Sequence, residues 1–320
     1  MMGIDKPHGG LSAENARRLD EIGPKWADDI NGHRDFVIDV YSPVVARADN
    51  AGISVRRDIA YGAHGRNMVD VFTPADGPER RRRHGDIVLF VHGGAFVRGS
   101  KSRNGHIYDN VCYWFARQGY VAVNVEYRLA HDAPYPGGAE DVARAADWAV
   151  TNLREPGAPA PRVLLVGHSA GGTHVATCVF DPAFRARPVA NIGAVVLVSA
   201  RLRADVHPDN PNAAGVKAYF GENAGLYEER SPVTHAHCAD VPLMIVVAEY
   251  ENPYLDRYGA EFFHRASQAR AIKPRFVQMK GHNHTSIVAH FNSGEETLGA
   301  AMVGFFDDLP AHDSDRSPSA

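Results

Sequence analysis

The chain has 320 residues, 44% of them hydrophobic and 22% charged. That is enough to bury a large core, and it excludes intrinsic disorder and a disulfide-stapled miniature scaffold. With 34 basic and 38 acidic residues the net charge is −4, without the basic excess that nucleic-acid binding calls for.

In chain order, residues 1–58 open with a helical pattern at Ala13–Ile22 and continue as an irregular stretch, an N-terminal segment set apart from the body at 59–309. In the body, strand-like runs rich in Val, Ile and Leu fall at Val69–Phe72, Ile87–His92, Tyr120–Tyr127, Val163–Gly167, Ala194–Ser199, Leu243–Ala248 and Arg275–Met279. Helical patterns alternate with them at Ile107–Arg117, Ala139–Asn152, Ala170–Phe180, Leu255–Ala271 and Glu296–Asp308. Several strand runs are continuously apolar, as strands covered on both faces are. The alternation predicts an α/β fold with a mostly parallel central sheet and helices on both faces. Arg80–Arg83 reads as a solvated loop, Arg201–Asp240 stands outside the alternation, and residues 310–320 read as a disordered tail. Cys112, Cys178 and Cys238 are far apart and in no CxxC spacing, so neither a zinc site nor a disulfide framework is expected, and a reducing compartment is. No signal-peptide core is visible at the N-terminus, and no apolar run approaches the roughly 20 residues of a membrane span. The expectation is a soluble, cytoplasmic protein.

Gly167-His168-Ser169-Ala170-Gly171 is a GxSxG pentapeptide running from an apolar strand into a helix. A serine on so sharp a turn is strained, and only small residues two places away avoid a clash. Upstream, His92-Gly93-Gly94-Ala95-Phe96 follows another buried strand, where glycines let backbone N–H groups face a developing oxyanion.

These two segments, with Tyr127-Arg128-Leu129-Ala130, Pro136 and Glu140-Asp141-Val142, resemble the hormone-sensitive-lipase-like carboxylesterases of the α/β-hydrolase superfamily, relatives of the kynurenine formamidases. The resemblance covers roughly residues 60 to 308. It implies Ser169 as nucleophile, with oxyanion donors among Gly93, Gly94, Ala95 and Ala170. The commoner HGGG reads HGGA here, a change tolerable for a backbone donor. In this fold the acid and then the histidine follow the serine. His282 and His284 are the candidate bases, and His284 matches better because it leads into Thr285-Ser286-Ile287-Val288. Glu251, in the turn marked by Asn252-Pro253, is the expected acid, with Glu249 and Asp256 as alternatives; Asp141 reads as structural. Phe96, His168 and Tyr254 are candidates to line the substrate pocket, with packing an equal reading for Phe96 and Tyr254, and the N-terminal segment and 201–240 are expected to form a small cap.

The implied activity is hydrolysis of a small-molecule carboxylic ester through an acyl-enzyme, with no cofactor and no metal. The alternatives are an amidase or arylformamidase using the same triad, and a non-catalytic hydrolase-fold binding protein. A metal site at His282-x-His284 lacks further ligands nearby. Oligomeric state, acyl preference and alcohol preference leave no mark in the sequence.

Overall fold

The computed structural model describes residues 7–77, 85–154, 157–184, 191–269 and 271–309. The Arg80–Arg83 loop and the 310–320 tail lie outside the described residues. Eight strands make one sheet: β1 (Ile53–Ala60), β2 (Met68–Pro74), β3 (Ile87–Val91), β4 (Val121–Glu126), β5 (Val163–His168), β6 (Ile192–Val198), β7 (Leu243–Tyr250) and β8 (Arg275–Asn283). Their order is β1-β2-β4-β3-β5-β6-β7-β8. β2 is antiparallel to both its neighbours, and β3 to β8 are all parallel.

The continuous apolar runs have a direct cause. Successive side chains of a strand point to opposite faces, so Ile87, Leu89 and Val91 of β3 enter one core while Val88 and Phe90 enter the other. The α-helices, in chain order, are α1 (Ala13–Ile22), α2 (Ile30–Val45), α3 (Asp109–Arg117), α4 (Gly137–Asn152), α5 (Ala170–Phe180), α6 (Ala213–Phe220), α7 (Tyr227–Arg230), α8 (Leu255–Ala269), α9 (Ser286–Ala289) and α10 (Thr297–Asp307). Helices α4, α5 and α8 cover the first face, α3 and α10 the second. No helix among the described residues is long and apolar enough to cross a membrane.

Three regions differ from the sequence reading. The stretch after Ile22, expected to be irregular, contains the 16-residue α2. Its β-branched residues and internal Pro43 argue against a helix locally. Burial overrides them: Val37, Ile38, Tyr41 and Val45 pack with Leu19 and Trp26 against Ile107 and Ala289, and the Asp29 carboxylate caps the first turn by accepting the Gly32 N–H at 2.9 Å. β1 carries Arg56-Arg57-Asp58 on a half-exposed edge, so it lacks the apolar signature of its neighbours, and the sheet already begins at Ile53. Finally, 201–240, where the sequence shows no helical pattern, holds α6 and α7, and Ala204, Val216, Tyr219, Phe220 and Tyr227 from it pack with Phe96 and Ala170.

Candidate active site

One residue separates β5 from α5. Ser169 bridges them with φ 55° and ψ −120°, a conformation that L-residues adopt only under constraint. The turn closes because its neighbours lack side chains: a Cβ at Gly167 would lie 2.6 Å from Gly172 Cα, and one at Gly171 would lie 2.3 Å from the Val91 carbonyl oxygen. The Ser169 N–H donates to the Val198 carbonyl at 3.0 Å.

β7 and β8 bring up the other two groups. His284, just past β8, is fixed by its backbone N–H donating to the Tyr250 carbonyl at 3.0 Å. Its Nδ1 is 2.8 Å from Glu251 Oε2 and its Nε2 is 3.1 Å from Ser169 Oγ. The second carboxylate oxygen, Oε1, accepts the Ala248 N–H at 2.8 Å. A carboxylate can only accept, so Nδ1 carries the proton and Nε2 is left as acceptor for the serine hydroxyl. The Glu251 side chain is only 3% exposed.

The competing candidates lie elsewhere. His282 is fully buried, with Nε2 2.8 Å from Glu295 Oε1 and Nδ1 3.1 Å from Ser286 Oγ. Burial alone would raise the Glu295 carboxyl. The hydrogen bond from His282 and the nearby His290 and His282 outweigh it and hold the group down at about 2. The same carboxylate accepts the backbone N–H of His8 at 2.9 Å, tying the N-terminal segment to the histidine loop. Glu249 accepts the Gly281 N–H at 2.7 Å, and Asp256 stands exposed in the first turn of α8. Because His282 and His284 turn to different carboxylates, their rings do not converge on a metal. Among the described residues no three His, Cys, Asp or Glu side chains form a metal-binding group.

The loop after β3 faces Ser169. A Cβ on Gly93 would lie 2.9 Å from Ser169 Cβ, and Gly94, with φ +152°, leaves no room for one beside the Arg98 carbonyl oxygen at 1.8 Å. Ala95 and Phe96 both have positive φ, 50° and 70°. His92 stacks on Tyr127 with ring centroids 4.4 Å apart, and the Tyr127 hydroxyl donates to the His92 carbonyl at 3.0 Å. Ala170 opens α5 and shares a buried cluster with Phe96 of this loop.

Of the three candidate pocket residues, His168 lines the cavity and the other two do not. Its Nε2–H donates to the His284 carbonyl at 3.0 Å. Burial, with the neighbouring His284, pushes its pKa down to about 3, so the ring is neutral. Phe96 is turned away into a buried aromatic cluster, stacked on Tyr219 at 4.6 Å. Tyr254 instead donates its hydroxyl to Asp209.

The cavity at Ser169 has a volume of about 220 Å³. Gly93, Gly94, Ala95 and His284 line it, as do Trp26, Ile30 and Ile38 from α2 and the turn before it. Arg34, Arg98 and Arg103 also line it. The sequence reading missed these arginines because they belong to three separate segments and to no motif, and only the fold brings them together.

Residues 69–179 match the family model described as BD-FAE. "Esterase LipI" of Mycobacterium tuberculosis is 39% identical over 88 residues, 27% of this chain and 26% of that protein, so the chain spans about a quarter of this relative's length. "Arylesterase" of Saccharolobus solfataricus is 25% identical over 243 residues, 71% of this chain and 77% of the relative. Among solved structures, "Bacterial Heroin Esterase" superposes with a TM-score of 0.68 at 23% identity, covering 94% of this chain and 99% of that one. Sheet order, strand-to-helix serine turn and structural likeness agree: the chain has the α/β-hydrolase fold, and part of its sequence is similar to hormone-sensitive lipase and to bacterial esterases.

Proposed function

We propose that this protein is a serine hydrolase that cleaves carboxylic esters through an acyl-enzyme, with Ser169 as nucleophile, His284 as base and Glu251 as the acid that orients it. The observation that carries this reading is the continuous hydrogen-bonded relay from Ser169 Oγ through both nitrogens of His284 to Glu251. A serine hydroxyl is a weak nucleophile until a base removes its proton. As Oγ adds to the ester carbonyl carbon, its proton passes to His284 Nε2, and Glu251 stabilises the imidazolium. The backbone N–H groups of Ala170 and of the Gly93-Gly94-Ala95 loop receive the oxyanion. Collapse breaks the ester C–O bond, and the alcohol leaves with the proton from Nε2. Water, deprotonated by the same nitrogen, then releases the acid and restores the serine.

In this reading the N-terminal segment acts as a cap, since Trp26, Ile30 and Ile38 wall the cavity at Ser169. The three unpaired cysteines fit a reducing compartment such as the cytoplasm. The test is intact-mass analysis after a serine-directed phosphonate, alongside hydrolysis of p-nitrophenyl esters. One adduct is expected, and both adduct and turnover should vanish in Ser169→Ala. An alanine variant labelled at the wild-type rate would remove Ser169 from this role.

A further inference from the structure

Three arginines line the cavity beside Ser169, and among the described residues no aspartate or glutamate does. They arrive independently: Arg34 on α2, Arg98 three residues beyond Ala95, and Arg103 ahead of α3. Outside the lining, Asp35 supplies one carboxylate for two of them. Its Oδ1 accepts from Arg34 Nε at 3.0 Å and Nη2 at 2.9 Å, and from Arg103 Nη2 at 3.0 Å. Arg98 meets only a neutral group, with Nη2 3.5 Å from Asn212 Oδ1. Among the described residues it has no carboxylate partner. The Arg98 side chain is exposed to solvent; local desolvation, followed by the charges of Arg34 and Arg103, lowers its guanidinium pKa from the ordinary value. The chain as a whole carries a net charge of −4, so this concentration of positive charge is local and runs against the composition.

Guanidinium is the side chain that matches a carboxylate with a planar, two-pronged donor set. Like-signed charges lining a cleft also focus the field onto a ligand of opposite sign. We propose that the cavity takes an ester that itself carries a carboxylate, which pairs with Arg98 and is held by the field of Arg34 and Arg103. This rests on the esterase reading above and narrows it to a substrate class. The carboxylate is unchanged in the reaction: the bonds made and broken are those at Ser169 and the ester carbonyl.

The test compares kcat/KM for matched substrates at low salt. In one arm, p-nitrophenyl hemiesters of the diacids from succinic to suberic acid are set against p-nitrophenyl esters of the corresponding monoacids. In the other, p-acetoxybenzoate is set against its methyl ester. The arms tell whether the charge belongs to the acyl or the alcohol side. In one of them the anionic member is expected to be favoured by about tenfold or more. That preference should fall by about tenfold in Arg98→Gln, return in part in Arg98→Lys, and shrink as salt is raised. No anionic preference in either arm overturns the proposal. So does an equal loss on charged and neutral esters in Arg98→Gln, which would make the arginine a stabiliser of the oxyanion instead. Calorimetry on Ser169→Ala needs no turnover: monomethyl glutarate should bind more tightly than dimethyl glutarate, and Arg34→Gln should weaken that preference. Equal binding of the two overturns the proposal even if the enzyme is an active esterase. Anion-selective binding without any ester turnover would instead defeat the esterase reading alone.

Discussion

Replacing Glu251 by glutamine exchanges one oxygen for an amide nitrogen, yet the surroundings make the exchange reverse the proton order at His284. Two donors face the carboxylate: the Ala248 N–H at Oε1 and His284 Nδ1–H at Oε2, each at 2.8 Å. A glutamine has one acceptor oxygen. If it stays opposite Ala248, the amide N–H points at Nδ1 and favours the tautomer with the proton on Nε2. Nε2 would then face the Ser169 hydroxyl as a donor and could not take its proton. If the amide flips, its NH₂ group confronts the Ala248 N–H, leaving two donors face to face in a buried site, at a cost of about 1–3 kcal/mol. The wrong tautomer is therefore the favoured one. The matching change in a serine protease lowered kcat by about 10⁴, equivalent to about 5 kcal/mol of barrier. A loss of that order is expected here, measured as kcat on a p-nitrophenyl ester at saturation, with the thermal midpoint close to wild type because the Ala248 bond survives. Glu249→Gln should change kcat little, since its carboxylate reaches only the Gly281 N–H. A Glu251→Gln enzyme within tenfold of wild type, or one whose loss is matched by unfolding, would refute the reasoning.

Acid sensitivity follows from the buried histidines. Burial depresses His168 and His174 to about 3 and His290 to about 4, so each is neutral in the fold, and its contribution is complete above the unfolded value of about 6.5 and lost as pH falls. Between pH 7.5 and 5.0 each should cost about 2 kcal/mol; urea denaturation at the two pH values should show His174→Gln losing about 2 kcal/mol less than wild type over this interval, and an unchanged loss would refute the assignment. Gly93→Ala places a Cβ 2.9 Å from Ser169 Cβ and 3.0 Å from His168 Nδ1, so the nucleophile must shift. A fall in kcat of about 10² is expected in steady-state kinetics, and full activity would mean that the loop gives way instead. His284→Ala should abolish phosphonate labelling, whereas His282→Ala should retain labelling and lose thermal stability, because removing His282 strands the Glu295 carboxylate in the interior.

Much of the fold is legible in the sequence because buried parallel strands leave an unambiguous trace: a run such as Ile87–Val91 feeds both cores and tolerates no polar residue. The strand-to-helix serine is legible for a related reason, since the close approach of Gly167 to Gly172 admits nothing but glycine. Helix α2 is not, because its stability resides in contacts with Ile107 and Ala289, far away in the chain. For Phe96 the sequence leaves pocket lining and packing equally open, for the same reason. Its place beside the oxyanion loop suggests the pocket, while the stacking that draws it away comes from Tyr219, on a helix more than a hundred residues later. The arginines of the cavity were beyond reach of any local pattern: charge in solvent and charge in a cleft look alike in a sequence.

The loop after β3 places three successive residues at positive φ, of which Ala95 and Phe96 have side chains that resist it. Each non-glycine residue so held costs on the order of 1–3 kcal/mol. The restraint comes from outside the cavity. Phe96 is gripped by Tyr219 and Phe220, its carbonyl accepts the Ala130 N–H at 2.9 Å, and Gly215 of α6 comes so close that a Cβ there would lie 2.2 Å from the Ala95 carbonyl oxygen. The work of bending this backbone is thus done when the chain folds; in the proposed mechanism it is not repeated at each turnover, as a preorganised oxyanion site requires. Under the proposed mechanism, the shape of the oxyanion loop is thereby coupled to the packing of an aromatic cluster outside the cavity lining.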